Sequence, residues 1–177
     1  MKRNHQIRQK SAQRDKLGSE IEAIKKSIIK QANKALSMSK KIGFLLNPVD
    51  GWPPHNVEYL WLEDNGDRYT IKNFPFYTKG VAFEDIITLK LNDDGYAESW
   101  KVVTPSGNSL IWVFEHEPTS ILERLQKIGC GFETQKAVRL HAVNIPPDTD
   151  VDLLDSILDS EKKQQKISVA FPVFRLD

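Results

Sequence analysis

Residues 109–174 contain six patterned segments, and the order of these segments predicts the fold of this part of the chain. They read SLIWVFE (109–115), PTSILERLQKI (118–128), CGFET (130–134), AVRLHAVN (137–144), DVDLLDSILDS (150–160) and KISVAFPVF (166–174). Apolar residues recur at helical spacing in the second and fifth segments, and the other four are short runs typical of strands. The order β-α-β-β-α-β is the signature of a ferredoxin-like fold, so residues 109–177 are predicted to form a ferredoxin-like half.

The two predicted helices have apolar faces, and the first also carries signals at its ends. Ser120 and Glu123 form a capping-box pattern at its start, and Gly129 marks its end. Its core face consists of Ile121, Leu122, Leu125 and Ile128. Four residues of the second helix are predicted to face the core: Leu153, Leu154, Ile157 and Leu158.

Residues 46–108 are patterned for antiparallel β-structure. Asn65-Gly66 is a strong hairpin signal, because both residues tolerate a positive φ. Further turns are predicted at 92–95 and 105–108. Strands are predicted at 57–62, 68–72, 85–91 and 96–103, and the first of them places Val57, Tyr59 and Trp61 on one face. Together with 109–115, these strands predict a small curled antiparallel sheet or partial barrel.

The N-terminal segment predicts a helix that begins near Ser19, which forms another capping box with Glu22. An apolar stripe follows at helical spacing, formed by Ile21, Ile24, Ile28, Ala32 and Ala35. We expect this helix to end near Lys41, before Gly43. The predicted fold class is therefore α+β, with a basic helical N-terminal extension over residues 1–45 and an α+β body over residues 46–177.

The formal net charge of +1 conceals opposite charges on the two parts of the chain. Residues 1–41 hold 12 Lys and Arg against 3 Asp and Glu, a net charge of +9. Residues 42–177 hold 13 against 21, a net charge of −8. Fields of opposite sign can steer different partners to the two parts, or let the basic segment dock on the acidic body.

The composition favours a cytoplasmic globular protein. Hydrophobic residues make up 40% and charged residues 28%, close to the values of ordinary globular domains. Cys130 is the single cysteine, so no disulfide can form within the chain, which suits a reducing compartment. Met1-Lys2-Arg3 is not followed by an apolar signal segment, and no apolar run reaches the length of a membrane span. We therefore expect a cytoplasmic location and no membrane partner.

Four short motifs lie between residue 57 and about residue 174. They are EYLWLE (58–63), NFPFY (73–77) with Gly80 and Asp85, VV (102–103) with SGNS (106–109), and NIPP (144–147). In this order they resemble a bacterial family known only as a domain of unknown function, number four-two-six-five. That family has no established catalytic residues to carry over. The resemblance implies a role as an immunity protein, encoded beside a secreted bacterial toxin that it neutralises, as in contact-dependent growth inhibition.

Cys130 and His141 are the one pair that suggests nucleophilic catalysis. If the hairpin turns at Gln135-Lys136, Cys130 faces His141 and Asn144 lies near them, and an imidazole beside a thiol can produce a reactive thiolate. The alternative is a half-buried cysteine beside an ordinary strand histidine, which is the commoner arrangement. We therefore predict no catalytic residue, and the protein is expected not to be an enzyme.

The histidines do not have the spacing of a metal site. His5, His55, His116 and His141 form no HxxxH or HExxH pattern, and a lone cysteine allows no CxxC. No glycine-rich phosphate loop follows a predicted strand. We predict neither a metal nor a cofactor.

An acidic cluster surrounds the second helix of the C-terminal half. It consists of Asp148, Asp150, Asp152, Asp155, Asp159 and Glu161. The first three suit a helix N-terminus, where negative charge complements the helix dipole. The alternative is a docking strip for a basic partner, because charge complementarity speeds association and sets register. These six residues and Trp52, the aromatic residue most expected to be exposed, are the candidate protein-binding residues.

The basic N-terminal segment leaves three interpretations open: nucleic-acid binding through phosphates, docking on the acidic body, or a solvated helix. It has no aromatic residue before Phe44 on which bases could stack. The leading hypothesis is non-enzymatic, specific protein binding, as an immunity protein that occludes the active site of a cognate toxin. A nuclease toxin would present a basic site to the acidic body. The alternative is a nucleic-acid-binding or regulatory protein that uses the basic helix.

Overall fold

The computed structural model describes residues 17–18, 20–22, 24–28 and 39–176. The chain divides into two compact units between Ser39 and Lys40. In the first unit, all described residues from 17 to 28 are helical. The stripe residues Ile21, Ile24 and Ile28 have exposed side chains. The predicted capping residue Ser19 and the stripe positions Ala32 and Ala35 lie outside the described residues.

Residues expected to end the N-terminal helix instead begin a strand. β1 spans Ser39–Leu45, so the prediction of a helix as far as Lys41 is wrong. Phe44 is fully buried in the second unit and is in register with Ala97 of a later strand. Burial of this large apolar ring outweighs the helix propensity of the lysines before it.

Five strands form a closed barrel. They are β1, β2 (Val57–Asp64), β3 (Tyr69–Ile71), β4 (Ile86–Leu91) and β5 (Ala97–Thr104). β2 to β5 pair antiparallel in chain order, and β1 closes the ring by pairing parallel with β5. Four strands of the predicted curled sheet are therefore part of a complete barrel, but its fifth strand is β1 and not residues 109–115, which belong to the second sheet. Its core consists of Phe44, Leu60, Leu62, Ile71, Val81, Ile87 and Ala97.

Turn chemistry places the barrel hairpins where the sequence predicts them. Between β2 and β3, the Asn65 N–H donates to the Arg68 carbonyl at 2.9 Å, and Gly66 adopts a φ of 91°. Between β4 and β5, Oδ1 of Asn92 accepts hydrogen bonds from the N–H groups of Asp94 and Tyr96. The Asn side chain thus satisfies backbone donors that the turn would otherwise leave free.

The C-terminal half is a four-stranded sheet with two helices. Its elements are β6 (Ser109–Glu115), α1 (Ile121–Lys127), β7 (Gly131–Gln135), β8 (Leu140–Ile145), α2 (Val151–Lys162) and β9 (Ile167–Val173). A 3-10 turn, Lys136–Val138, connects β7 and β8. The strand order is β7-β8-β6-β9, and every neighbouring pair is antiparallel. The predicted α+β class is thus confirmed, as a closed barrel followed by a second sheet.

Both faces of the second sheet are covered. Successive side chains of a strand point to opposite faces, so each central strand contributes buried residues on both sides. The helices pack on one face, where the buried residues are Ile111, Val113, Val143, Ile145, Ile121, Leu125, Leu154 and Leu158. On the other face Leu110, Trp112, Leu140 and Ala142 meet Tyr77 and Ala82 from the long connection between β3 and β4. That connection is therefore held against the second sheet.

The helix ends differ from the prediction in two details. Ser120 makes no capping bond with its side chain, and the Thr119 hydroxyl instead accepts the Ile121 N–H at 3.1 Å. Leu153 is 46% exposed, because it lies about 90° around the helix from the centre of the buried stripe of α2. That stripe consists of Leu154, Ile157, Leu158 and Glu161. None of the helices in the described ranges combines the length and apolarity needed to cross a membrane.

Candidate protein-binding site

A groove with a cavity of about 590 Å³ opens on the outer face of β2. The alternation of the strand buries Glu58, Leu60 and Leu62 and leaves Tyr59 and Trp61 outside. The opposite wall is formed by residues 72–77 and by residues 133–135 of β7. The groove therefore lies where the barrel meets an edge strand of the second sheet.

Glu58 holds the wall of the groove in place. Its side chain is buried, and its Oε1 accepts the Phe76 N–H at 2.5 Å. Oε2 accepts the Tyr77 N–H at 3.0 Å, the Thr78 N–H at 2.6 Å and the Thr78 hydroxyl at 2.7 Å. Four donors converge on one carboxylate, so the cost of burying its charge is offset by hydrogen bonds.

Further hydrogen bonds fix the same segment to the barrel and to the sheet. The Asn73 Oδ1 accepts the Trp61 N–H at 2.8 Å. On the other side, Trp112 Nε1 donates to the Pro75 carbonyl at 2.8 Å. These bonds attach residues 73–78 to β2 and to β6, so the groove has a preformed wall rather than a loose loop.

Two aromatic rings project from β2 into solvent beside a lysine. Tyr59 is 49% exposed and Trp61 is 46% exposed. The Lys41 Nζ lies 5.6 Å from the centroid of the Tyr59 ring and 5.7 Å from that of Trp61. Both distances are within the range of a cation–π contact, which is about 6 Å. The outer face of β2 therefore presents ring faces that accept a positive charge.

Glu133 of β7 places a half-buried carboxylate in the groove. Its Oε1 accepts the Phe74 N–H at 3.2 Å. Burial raises the pKa of Glu133, and the neighbouring Glu58 raises it further, although the Phe74 hydrogen bond acts in the opposite direction. No ion-pair partner of Glu133 occurs among the residues that the structure describes. A cation in the groove would supply that partner.

Three further polar groups of the groove, Lys72, Tyr77 and Gln135, already have partners. Lys72 pairs with Glu63 at 3.1 Å and with Glu84 at 3.8 Å. The Tyr77 hydroxyl donates to the Gln135 side chain. Burial raises the pKa of Tyr77, so this hydroxyl stays protonated and remains a donor.

Trp52 does not have the exposure that the sequence predicts. Its ring is half-buried and lies 5.3 Å from the rings of both Tyr77 and Phe114, edge to face. It packs against the face of the second sheet that the helices leave uncovered. Trp61 on β2 is the more exposed of these two tryptophans.

The acidic cluster is not one continuous strip. Asp150 caps α2, and its Oδ1 accepts the Leu153 N–H at 3.0 Å. Glu161 is buried and pairs with Arg124 of α1 at 3.0 Å, so it joins the two helices instead of facing a partner. Asp159 pairs with Lys162 at 3.1 Å. The remaining members, Asp148, Asp152 and Asp155, are exposed.

Cys130 and His141 do not form a pair. The hairpin register puts Thr134 opposite His141 and Gly131 opposite Asn144, because the 3-10 turn makes the connection longer than predicted. Cys130 is 3% exposed and belongs to the apolar core beneath the helices. Burial raises the pKa of its thiol to about 11, which disfavours the thiolate that nucleophilic catalysis needs.

His141 belongs instead to a partly buried chain of hydrogen bonds that the sequence did not suggest. Its Nδ1 lies 2.9 Å from the Thr134 hydroxyl, and its Nε2 lies 3.0 Å from Oε2 of Glu115. The other Glu115 oxygen accepts the N–H and the hydroxyl of Thr119. The chain therefore ties β6, β7 and the start of α1 together, and Thr134 at one end of it also lines the groove.

Within the described part of the chain, no group of three or more His, Cys, Asp or Glu is placed to hold a metal ion. The groove offers a different chemistry, in which aromatic faces and a carboxylate surround an open cavity.

The fold and the groove define an α+β protein built from a closed barrel and a helix-covered sheet. Residues 58–169 match the family described as Domain of unknown function (DUF4265). The chain belongs to this family, which confirms the resemblance carried by its motifs. Two of those motifs, at 58–63 and 73–77, supply residues of the groove.

A solved structure with the same fold is described as a novel crystal structure of a hypothetical protein from Neisseria gonorrhoeae. It is 16% identical to this chain and superposes with a TM-score of 0.59. The similarity covers 78% of this chain and 96% of the other. No curated protein matches the chain significantly.

Proposed function

We propose that this protein acts by specific, non-enzymatic binding of another protein, and that the groove on β2 is its contact site. The observation that carries the proposal is the pair of half-exposed rings, Tyr59 and Trp61, on a rigid strand beside an open cavity. Tyrosine and tryptophan are enriched among the residues that dominate binding energy at protein interfaces. Because β2 is a barrel strand, its backbone is already ordered, and little entropy is lost in fixing it when a partner binds.

The proposed biological role is that of an immunity protein, which occludes the active site of a cognate bacterial toxin. The net charge of −8 over residues 42–177 supports a basic partner, such as a nuclease whose active site must attract phosphate. Exposed Asp148, Asp152 and Asp155 would add to the long-range attraction without forming the anchor.

The test is co-expression with the reading frame encoded immediately upstream. If that frame encodes a toxin, its C-terminal domain alone should arrest growth, and this protein should restore growth and co-purify with the domain. A variant carrying both Tyr59→Ala and Trp61→Ala should restore growth much less well. A domain that arrests growth equally with and without this protein would exclude the role.

Nucleic-acid binding through residues 1–41 is the second candidate, favoured by their net charge of +9. Phosphate contacts by lysine and arginine give an affinity that falls steeply with salt. A salt titration of RNA and DNA binding, with the full chain and with a chain lacking residues 1–41, tests it. No affinity at low salt would remove this candidate.

We also infer that residues 109–177 form a ferredoxin-like half. The alternation of strands and helices and the order β7-β8-β6-β9 support this assignment. A comparison of an experimental structure of the chain with ferredoxin-like domains would test it.

A further inference from the structure

We propose that the groove on β2 recognises a cationic side chain, arginine or lysine, presented by a basic protein partner. This inference rests on the proposed function and names the chemistry by which the partner would be anchored. Three observations support it. Ring faces on β2 already contact a cation, a half-buried carboxylate has no described cation beside it, and the body carries a negative net charge.

Lys41 occupies the position that the partner's cation would take. Its ammonium lies 5.6 Å from the Tyr59 centroid and 5.7 Å from the Trp61 centroid, so two rings share one charge. The Lys41 side chain is exposed, and an ammonium so close to water gains little from the contact. An arginine guanidinium is planar and more weakly hydrated, so it stacks on aromatic faces more favourably than an ammonium does. Such a ligand can displace Lys41 at small cost.

Glu133 supplies the opposite charge. It lines the same cavity as Tyr59 and Trp61, on the wall that β7 contributes. An incoming guanidinium would give this carboxylate an ion-pair partner within a partly dry site, where charge-assisted hydrogen bonds are strong. Glu58 lies deeper and is already satisfied by four donors, so it adds negative potential without changing its bonds.

An anionic occupant is the competing possibility, because Lys41, Lys72 and His55 also line the cavity. Lys72 is already paired with Glu63 and Glu84, which lowers its value for an anion. A nucleotide could stack its base on Trp61 and place its phosphate on Lys41. The two occupants carry opposite charge, so substitutions at Lys41 and Glu133 affect them in opposite directions.

The experiment is a titration of the ¹⁵N-labelled full chain, followed through the indole N–H of Trp61 and the amide of Glu133. The probes are N-acetyl-arginine methylamide and its neutral isostere N-acetyl-citrulline methylamide, with thymidine monophosphate as the anionic probe. We expect saturable shifts with the arginine compound and none with the citrulline compound, because the shape is shared and only the charge differs.

Variants then assign the site. Trp61→Ala should weaken arginine binding about fivefold, in keeping with a partly desolvated cation–π contact. Glu133→Gln should weaken it by a similar factor, because the ion pair with the guanidinium is lost. Lys41→Met should strengthen it, because a competing ammonium is removed. The controls are Phe171→Ala, which removes a ring that is 47% exposed on β9, and Glu117→Gln, at an exposed position after β6. Both controls should leave the affinity unchanged.

Equal binding of the arginine and citrulline compounds would overturn the inference, as would a loss of arginine affinity in Lys41→Met. Binding of the nucleotide that depends on Lys41 would assign the groove to an anion instead. Different outcomes would refute the cation site and the proposed immunity role. Growth protection without arginine binding removes the cation site alone, whereas arginine binding without growth protection removes the immunity role alone.

Discussion

Arg175, just beyond β9, forms two parallel hydrogen bonds with Asp85, just before β4. Nη1 lies 2.7 Å from Oδ1, and Nη2 lies 2.8 Å from Oδ2. Asp85 is fully buried, and it also accepts the N–H groups of Ala82 and Ser106. This ion pair joins the segment before β4 to the segment that follows β9, so it ties the barrel to the second sheet.

Replacing the buried carboxylate should therefore destabilise the whole body. We expect Asp85→Asn to lower the free energy of unfolding by about 3 kcal/mol, because removing one partner leaves the guanidinium without its counter-charge. Urea unfolding followed by circular dichroism measures this value. The control is Asp67→Asn, since Asp67 lies in the exposed turn after β2 and contacts Arg68 only at 3.9 Å. Equal stability of the two variants would contradict the role of the Asp85–Arg175 pair.

The same pair should make stability depend on pH. Burial opposes the charge of Asp85, but the hydrogen bonds from Arg175, Ser106 and Ala82 outweigh it and hold the pKa of Asp85 below its ordinary value. The stabilisation is complete above the pKa of an unfolded aspartate, about 3.9, and is lost as the pH falls through the lower pKa of the folded state. The difference in unfolding free energy between wild type and Asp85→Asn should therefore stay constant near neutral pH and shrink in acid. A difference that remains constant throughout would show that Asp85 is not the titrating group.

Glu58→Gln should loosen the wall of the groove. A glutamine keeps one acceptor oxygen and replaces the other with an amide group that cannot accept, so either the Phe76 N–H or the N–H groups of Tyr77 and Thr78 lose their acceptor. We expect a loss of about 1–3 kcal/mol in the free energy of unfolding and faster hydrogen exchange at one or more of these three amides. Glu117→Gln, at an exposed position, is the matched control. Unchanged exchange at all three amides in Glu58→Gln would mean that other contacts hold the segment.

Cys130 should be chemically inert in the folded protein. Burial raises the pKa of its thiol to about 11, so only a very small fraction is ionised near neutral pH. We expect alkylation by iodoacetamide to be much slower than that of a free cysteine, and to accelerate when urea unfolds the chain. Rapid alkylation of the native protein would contradict this prediction and would favour an enzyme that uses Cys130.

Local chemistry explains which parts of the fold could be predicted. The turn at Asn65-Gly66 and the turn after Asn92 follow from residues that tolerate a positive φ or satisfy nearby backbone donors. The strand at Ser109–Glu115 was predicted with its observed bounds, because it is a continuous apolar run. Each of these features depends on a few neighbouring residues.

The features that were missed depend on distant contacts. β1 is a strand because Phe44 fills the barrel and is in register with Ala97, a pairing that its lysine-rich sequence does not signal. The register of β7 and β8 depends on a 3-10 turn, so the predicted neighbour of His141 was wrong by several residues.

The groove was missed for a related reason. The pattern placed Tyr59 and Trp61 on one face of a strand, but it did not identify that face as the outer one. Leu60 and Leu62 on the alternate face were the available signal, since two buried leucines mark the core side of β2. Glu58 lies on the same buried face and makes the apolar pattern of that face harder to recognise. Only the folded structure shows the donors that satisfy its carboxylate.

The central claim is that the rings on β2 anchor a protein partner, and one affinity comparison tests it most directly. The domain of the proposed toxin would be titrated calorimetrically with wild type, Trp61→Ala and Phe171→Ala. The two variants remove rings of nearly equal exposure, one from β2 and one from β9. We predict that Trp61→Ala weakens binding by about 2 kcal/mol or more, roughly 30-fold, while Phe171→Ala matches wild type. Wild-type affinity in Trp61→Ala would contradict the account.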